Sequence, residues 1–370
     1  MSNSAMDPHG PSEVATKPQL DSLHQTHRTV DATAAASKKH AMTSTWLKKD
    51  PNNWSFSERV LVRLGLVPSP FSDTDKSRTP VFAKDAPVPA FPLWKVHLFV
   101  APQALAPLML HASFTYLTGI QLGRAWVAPL YMVYFIIVGT RYVSWCNRTA
   151  AELGTFDGQA QRDAVPDLDT ARVMRELLSV VLARTGVAVL YLYDPHAPIF
   201  DIKTLLLLPI NMFFYAVVLD FYFYWYHRLM HEVNWLWRFH RKHHTTKHPT
   251  AAFGAFADHE QEFCDILVIP TLAWLTWRVD FATWWVTTCY ILYVEAVGHS
   301  GIRAYFQLPT TWPLRYLGVE LCVEDHDIHH RHGWKKSGNY GKQTRLWDAL
   351  FGTMLPRIEG TSRNVDWDRL

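Results

Sequence analysis

Apolar residues in this chain gather in long unbroken runs instead of the narrow stripe of a surface helix. Val96 to Ile120 holds no Lys, Arg, Asp or Glu across 25 residues, enough at about 1.5 Å per residue to cross a hydrocarbon core of about 30 Å. This run predicts a membrane helix, kinked at Pro102 and Pro107. After the short IQLGRA, a second run extends from Trp126 to Val138 and on to Trp145, with Arg141 near its end. The two predict a helical hairpin. Leu177 to Tyr193, interrupted only by Arg184, and Leu205 to Tyr226, with Asp220 as its single charge, predict two more crossings. The latter closes on FYFYWY, an aromatic belt of the kind found at a bilayer interface. Phe263 to Trp277 and Phe281 to Val297 flank an RVD turn. Each is short for a full span, so the pair fits a tight membrane hairpin over 263–297. A large soluble helical core is the competing reading, but such a core rarely needs a charge-free run as long as the first.

Polar segments divide these runs. Residues 1–50 are rich in Ser, Thr, Ala, Lys and His without apolar periodicity and are expected to form a disordered tail. They show no basic stretch followed by an apolar core, so no cleaved secretory signal is expected there. Residues 51–93 form a Pro-rich pre-membrane segment with a short amphipathic stretch from Phe56 to Leu66. The expected organisation continues with a transmembrane region over 94–226, a histidine-rich region over 227–356 that includes the hairpin, and a C-terminal tail over 357–370. If the N-terminal tail lies in the cytosol, four crossings return the chain there at His227, and the hairpin returns it again at His299. Arg228, Arg238, Arg241, Lys242, Lys247, Arg331, Lys335 and Lys336 then share that face, in keeping with the positive-inside tendency. The expected fold is an all-α integral membrane protein of about four transmembrane helices and a membrane hairpin, with a helical histidine-rich cap in the cytosol.

Composition sharpens this picture. The mean hydropathy of −0.06 averages a polar tail against an apolar membrane half. A net charge of +3 offers no basic excess that would draw nucleic acid. The four cysteines are scattered without a C-x-x-C pair, which excludes a cysteine zinc ribbon and argues against a disulfide scaffold. The unusual number is 19 histidines, of which 12 fall between His227 and His332.

Three boxes carry most of them. His227-Arg-Leu-Met-His231 puts two imidazoles one helical turn apart on one face. His240-Arg-Lys-His243-His244 and His326-Asp-Ile-His329-His330 each offer three. Imidazole suits Fe, Zn, Cu and Ni, and eight such ligands exceed what one tetrahedral ion takes, so two metal ions are the economical reading. The assumed topology brings His299, in GHSG, back to the same place as a ninth ligand. His259, in Asp258-His259-Glu260-Gln261-Glu262, is a further candidate. His248 and His332 read as supporting or surface groups, and His97, His111 and His196 belong elsewhere. Glu324 and Asp327, beside the third box, are candidates to orient ring N–H groups. No proton donor can be named, and the chemistry is expected to centre on metal. The aromatic helix ending at Tyr226 and the hairpin are candidates to shape an apolar substrate channel.

The run HRLMH, FHRKHH, HSG, HDIHH, NYG and LWDALFGT, spread over roughly residues 205–356, resembles the integral-membrane fatty acid hydroxylase and sterol desaturase superfamily, in particular its sterol methyl oxidase-like members. The resemblance implies a di-iron site of two Fe ions on the cytosolic side of the endoplasmic reticulum. Such a site activates O2 as co-substrate to hydroxylate or desaturate an unactivated C–H bond of a sterol, fatty acyl, sphingolipid or terpenoid-like lipid. His227, His231, His240, His243, His244, His299, His326, His329 and His330 are the implied metal ligands. The DHEQE run departs from the His-Pro-x-Glu common in the sterol methyl oxidase branch. Electrons must come from outside, from a partner such as cytochrome b5 or a reductase, because the chain has neither an H-P-G-G haem motif nor a G-x-G-x-x-G nucleotide fingerprint. Two other functions use the same residues: a zinc-dependent membrane hydrolase, and an inactive membrane scaffold.

Overall fold

The computed structural model describes residues 44–67, 79–335 and 337–368. The expected tail as far as residue 43 lies outside them. Residues 44–50, which the sequence assigns to that tail, are docked: the buried Trp46 donates its indole N–H to the Val165 carbonyl at 2.9 Å. A short amphipathic helix, α1 (Phe56–Arg63), follows behind a Ser55/Glu58 capping box.

The body is a bundle of long helices. Leu93–Thr118 (α2) runs through Pro102 and Pro107 and ends on Gly119 in the left-handed conformation. Then come Arg124–Leu153 (α3), Thr170–Leu192 (α4) and Ile202–Glu232 (α5). Among the described residues α2, α3 and α5 are long and apolar enough to cross a membrane. Helix α4 falls short because Arg172, Arg175, Glu176 and Arg184 interrupt it. It nonetheless runs antiparallel to α3 over the same depth. Asp169 at its start pairs with Lys242 at 2.8 Å, beside the second histidine box, while the Tyr193 carbonyl at its end accepts from Arg124 at the start of α3, at 3.1 Å.

The stretch expected to form a membrane hairpin folds as two helical arms, the first of them broken. His259–Phe263 (α7) passes through a π-turn at Cys264–Val268 into Ile269–Thr276 (α8). The second arm, Phe281–Ser300 (α9), is buried along nearly its whole length. It packs against α2, α3 and α5, so its apolar residues face other helices on all sides. Asn234–His240 (α6) and Val323–His332 (α10) carry the second and third boxes, and Leu346–Leu350 (α11) follows.

The protein is mostly helical, with a small exception to the all-α expectation. Val88–Phe91 (β1) is the centre of a three-stranded parallel sheet with Tyr305–Phe306 (β2) and Val365–Asp366 (β3). Ala90 pairs with Tyr305 and Val88 with Val365. Backbone hydrogen bonding thereby fastens the pre-membrane segment to the stretch between His299 and His326 and to the C-terminal segment.

Candidate metal centre

Helix α5 is 31 residues long, about 46 Å at 1.5 Å per residue and so longer than a hydrocarbon core of about 30 Å, and its last turns follow the apolar run that closes at Tyr226. Those turns carry His227 and His231. His240 ends α6, His243 and His244 lie in the 3-10 turn that follows, His299 occupies the last turn of α9, and His326, His329 and His330 line α10. All nine are buried, and they form two groups: His227, His231, His240, His244 and His329 in one, His243, His299, His326 and His330 in the other. Within each group one donor atom per residue lies within 4.8 Å of all the others.

Both H-x-x-H-H boxes are split between the groups. In the second, His240 and His244 go one way and His243 the other; in the third, His326 and His330 go one way and His329 the other. Residues four apart on a helix share a face, and the one between them points aside by about 100°. The groups adjoin, with the rings of His244 and His330 4.8 Å apart and those of His240 and His243 5.3 Å apart.

Main-chain carbonyls fix the rings. The Nδ1–H of His227 donates to Tyr340 O at 2.8 Å, that of His329 to Gly338 O at 2.8 Å, and that of His299 to Glu295 O at 2.9 Å. His243 and His330 donate to Phe256 O and Thr246 O, each at 3.1 Å. His240 uses a side chain, Gln261 Oε1, at 2.8 Å. A carbonyl only accepts, so in these neutral rings the proton is on Nδ1 and the Nε2 lone pair points inward. The Nε2 atoms of His227 and His240 then face each other at 3.0 Å. Two lone pairs cannot hydrogen-bond to each other, and a shared cation is what such a pair lacks. In the second group Nε2 of both His243 and His330 is buried without a partner, and His299 Nε2 lies 3.0 Å from His326 Nε2. Burial, reinforced by neighbouring imidazoles, holds His243, His244, His326 and His330 well below their ordinary pKa. Burial also brings His240 down to about 3. Nitrogen-only donors in groups of five and four, six of them oriented by an acceptor on Nδ1, fit two borderline divalent metal ions.

The NYG motif acquires a role that sequence reasoning missed. Asp348 accepts from the Tyr340 and Gly341 amides at 2.8 and 2.9 Å, and Asp220 from those of Lys342 and Gln343 at 2.7 and 2.8 Å. Asn339 takes a positive φ of 53°. The segment is thus clamped, with the carbonyls of Tyr340 and Gly338 aimed at His227 and His329. Gln261 was also missed: the DHEQE run drew attention to His259, which is exposed and reaches only Glu262, at 3.9 Å. Among the described residues neither Glu324 nor Asp327, the two candidates to orient ring N–H groups, bonds a histidine ring nitrogen. Glu324 accepts from the amides of Ile358, Glu359 and Gly360, and Asp327 pairs with Arg162 at 2.6 Å and Arg331 at 2.7 Å. Their helix presents its histidines inward, leaving the acids to brace it from behind. His248 is half-buried and His332 exposed; His97 bonds Tyr290 Oη at 2.9 Å, His111 lies among Tyr131 and Tyr193, and His196 is exposed.

A cavity of about 350 Å³ runs beside the centre, apolar along most of its length. Its walls include Leu219 and Phe223 of α5, Ile266, Ile269 and Ile291 of the hairpin, and Phe56 and Val60 of α1. Three wall residues touch clustered histidines. Phe223 lies against His227 with ring centroids 5.1 Å apart, the Glu295 carbonyl holds His299, and a Cβ on Gly254 would sit 3.4 Å from His299 Nδ1.

A paired histidine centre beside an apolar chamber, in a chain with membrane-length helices, defines a membrane-bound lipid-modifying metalloenzyme class. The fatty acid hydroxylase family model matches residues 212–353, which contain every clustered histidine. The chain is 40% identical over 314 residues to the fatty acid hydroxylase vlmA of Lecanicillium sp, a match covering 79% of this chain and 86% of that protein. It is 34% identical over 147 residues to methylsterol monooxygenase 2-2 of Arabidopsis thaliana, covering 39% of this chain and 52% of the relative. It is 36% identical over 147 residues to the very-long-chain aldehyde decarbonylase GL1-8 of Oryza sativa subsp. japonica, covering 39% and 51%. No solved structure matches the chain. The protein belongs to the fatty acid hydroxylase family of the sterol desaturase-like superfamily, and it is a membrane oxidoreductase.

Proposed function

We propose that the protein is an O2-dependent di-iron oxygenase of the endoplasmic reticulum membrane that hydroxylates or desaturates an unactivated C–H bond of a lipid. The observation that carries this reading is the juxtaposition of two buried histidine groups, five and four strong, with an apolar cavity whose wall touches both. His227, His231, His240, His244 and His329 would hold one iron, and His243, His299, His326 and His330 the other. The ions, when bound, supply the O2 activation and C–H cleavage that no side chain can perform. The chain's own contribution is positioning. The carbonyls of Tyr340, Gly338, Phe256, Thr246 and Glu295 and the amide of Gln261 hold the donor rings in one tautomer and one orientation. Phe223, Ile266 and Ile291 line a dry path for an alkyl chain, limiting water at the reacting carbon.

Helix α4 acts as a fourth crossing in this reading, because Asp169 lies at the histidine face and Tyr193 at the start of α3. The histidine face looks into the cytosol, supported by the exposed Arg238, Arg241 and Lys335 around it. That basic face suits docking of an acidic electron donor such as cytochrome b5 or a reductase.

Metal analysis of the purified protein, combined with turnover of a lipid mixture in the presence and absence of O2, tests the proposal. About two irons per chain and strictly O2-dependent oxidised product are expected. Zinc alone with anaerobic turnover would instead establish the hydrolase, and unchanged lipid profiles in cells carrying His243→Ala or His330→Ala would establish the scaffold.

A further inference from the structure

One charged side chain on the cavity wall has no role in the metal centre. Arg184 lies midway along α4 and lines the cavity among Leu177, Val180, Ile269 and Leu292. Its Nε is buried and has no hydrogen-bond partner, and among the described residues no carboxylate lies within ion-pair distance of the guanidinium, although Asp265 and Glu295 attract it from farther away. The other charges on this wall are already engaged or are acids. Lys342 pairs with Glu295 at 3.1 Å, and one Asp265 oxygen accepts from Gln261 at 3.2 Å. Asp265 Oδ1 and Glu262 Oε1 are buried without partners. A buried carboxyl can shed its charge by taking a proton, but a guanidinium keeps its charge and offers five donors. Keeping a guanidinium N–H without an acceptor in a mostly apolar chamber, with its nearest acids beyond hydrogen-bond reach, is costly unless something enters to accept from it.

We propose that Arg184 receives the polar end of the lipid substrate, an oxygen-acceptor group at the end of an alkyl chain: a carboxylate, or the carbonyl of an ester or thioester. A guanidinium matches a carboxylate by two parallel hydrogen bonds and a carbonyl by one or two. The alkyl chain follows the apolar walls. Arg184 thereby selects acyl lipids over hydrocarbons and sets how far the chain can travel past the Phe223 and Gly254 wall where the histidines lie. The proposal rests on the cavity being the substrate chamber of the oxygenase.

Binding of radiolabelled hexadecanoate, methyl hexadecanoate and hexadecane to the full chain in nanodiscs, corrected for partition into protein-free discs, tests it without requiring turnover. On the unaltered protein the acid or the ester is expected to bind at least tenfold tighter than the hydrocarbon. Arg184→Gln should weaken that binding by roughly 10–100-fold, the usual worth of a hydrogen bond to a charged group, and leave hexadecane unchanged; Arg184→Lys should lie between. Loss confined to the acid marks a carboxylate as the ligand, and equal loss for acid and ester marks a carbonyl. Equal binding of all three by the unaltered protein, or an Arg184→Gln variant that binds all three as before, would overturn the proposal. Retained hexadecane binding shows that a variant is folded, and the headgroup series on the unaltered protein decides the matter if Arg184→Gln does not fold. Arg184-dependent binding by a protein that oxidises no lipid would remove the oxygenase reading while leaving this site in place.

Discussion

Gln261 accepts the Nδ1 proton of His240 at 2.8 Å, and its own amide N–H donates to Asp265 at 3.2 Å. His240 is thus oriented by a side chain, where the other anchored rings use main-chain carbonyls, and is accessible to mutation. Gln261→Leu removes the acceptor and is expected to lower metal affinity of the five-histidine group by roughly 10–100-fold, the usual effect of removing a ligand's hydrogen-bond partner. Gln261→Glu keeps an acceptor oxygen and should lose less. Titration of metal-free protein with Fe(II) under anaerobic conditions measures both; unaltered affinity in the Leu variant would show that His240 needs no orientation.

His243 and His244 are adjacent in sequence yet belong to different groups. His243→Ala should therefore empty the four-histidine group and lower the stoichiometry from about two metals per chain toward one, with activity lost. His259→Ala should change neither, because that side chain is exposed. Elemental analysis of the purified variants distinguishes the two, and metal loss in His259→Ala would contradict the assignment.

Gly341 lies where a side chain has no room. A Cβ there would stand 2.2 Å from the Thr344 carbonyl, 3.0 Å from Asp220 Oδ2 and 3.2 Å from Asp348 Oδ2. Gly341→Ala should displace the clamped NYG segment and destabilise the fold by about 1–3 kcal/mol, as overpacking does. Gly298, on α9, has no neighbour within 4 Å of its would-be Cβ, so Gly298→Ala should be neutral or stabilise by up to about 1 kcal/mol. Thermal unfolding in detergent checks the contrast. A Gly341→Ala protein that melts with the parent would show that the segment can move.

Acid should unfold the metal-free protein early. His240, His243, His244, His326, His329 and His330 are all held below their ordinary value of 6.5, first of all by burial. A histidine depressed in the fold takes up its proton preferentially in the unfolded chain, so stability is complete above pH 6.5 and falls as the pH drops below it. Each such group contributes up to about 1.4 kcal/mol per pH unit until its folded value is reached. Unfolding followed from pH 8 to 5 should show a steep loss below 6.5, and metal should shift the loss to lower pH by competing with protons for the same nitrogens. A flat profile over that range would mean the rings are not buried neutral.

The long apolar runs and the one-turn spacing of the histidines were legible in the sequence because both are local: an uncharged stretch of 25 residues and an i, i+4 pair each declare a helix and a face from near neighbours alone. Eight of the nine clustered histidines could be nominated on that basis, and His299 from the counted crossings. Less could be said of α9, since an apolar run reads the same whether lipid or other helices cover it, and only packing showed that it is enclosed. The distribution of the histidines into five and four, and the choice of Gln261 over His259, came from the tertiary structure. So did the carbonyl of Tyr340 against His227, 113 positions apart, and the place of Arg184 on the cavity wall. The reason is physical: helical periodicity is set within one turn, whereas a ring's hydrogen-bond partner and a cavity's lining depend on which distant segments the packed bundle brings together.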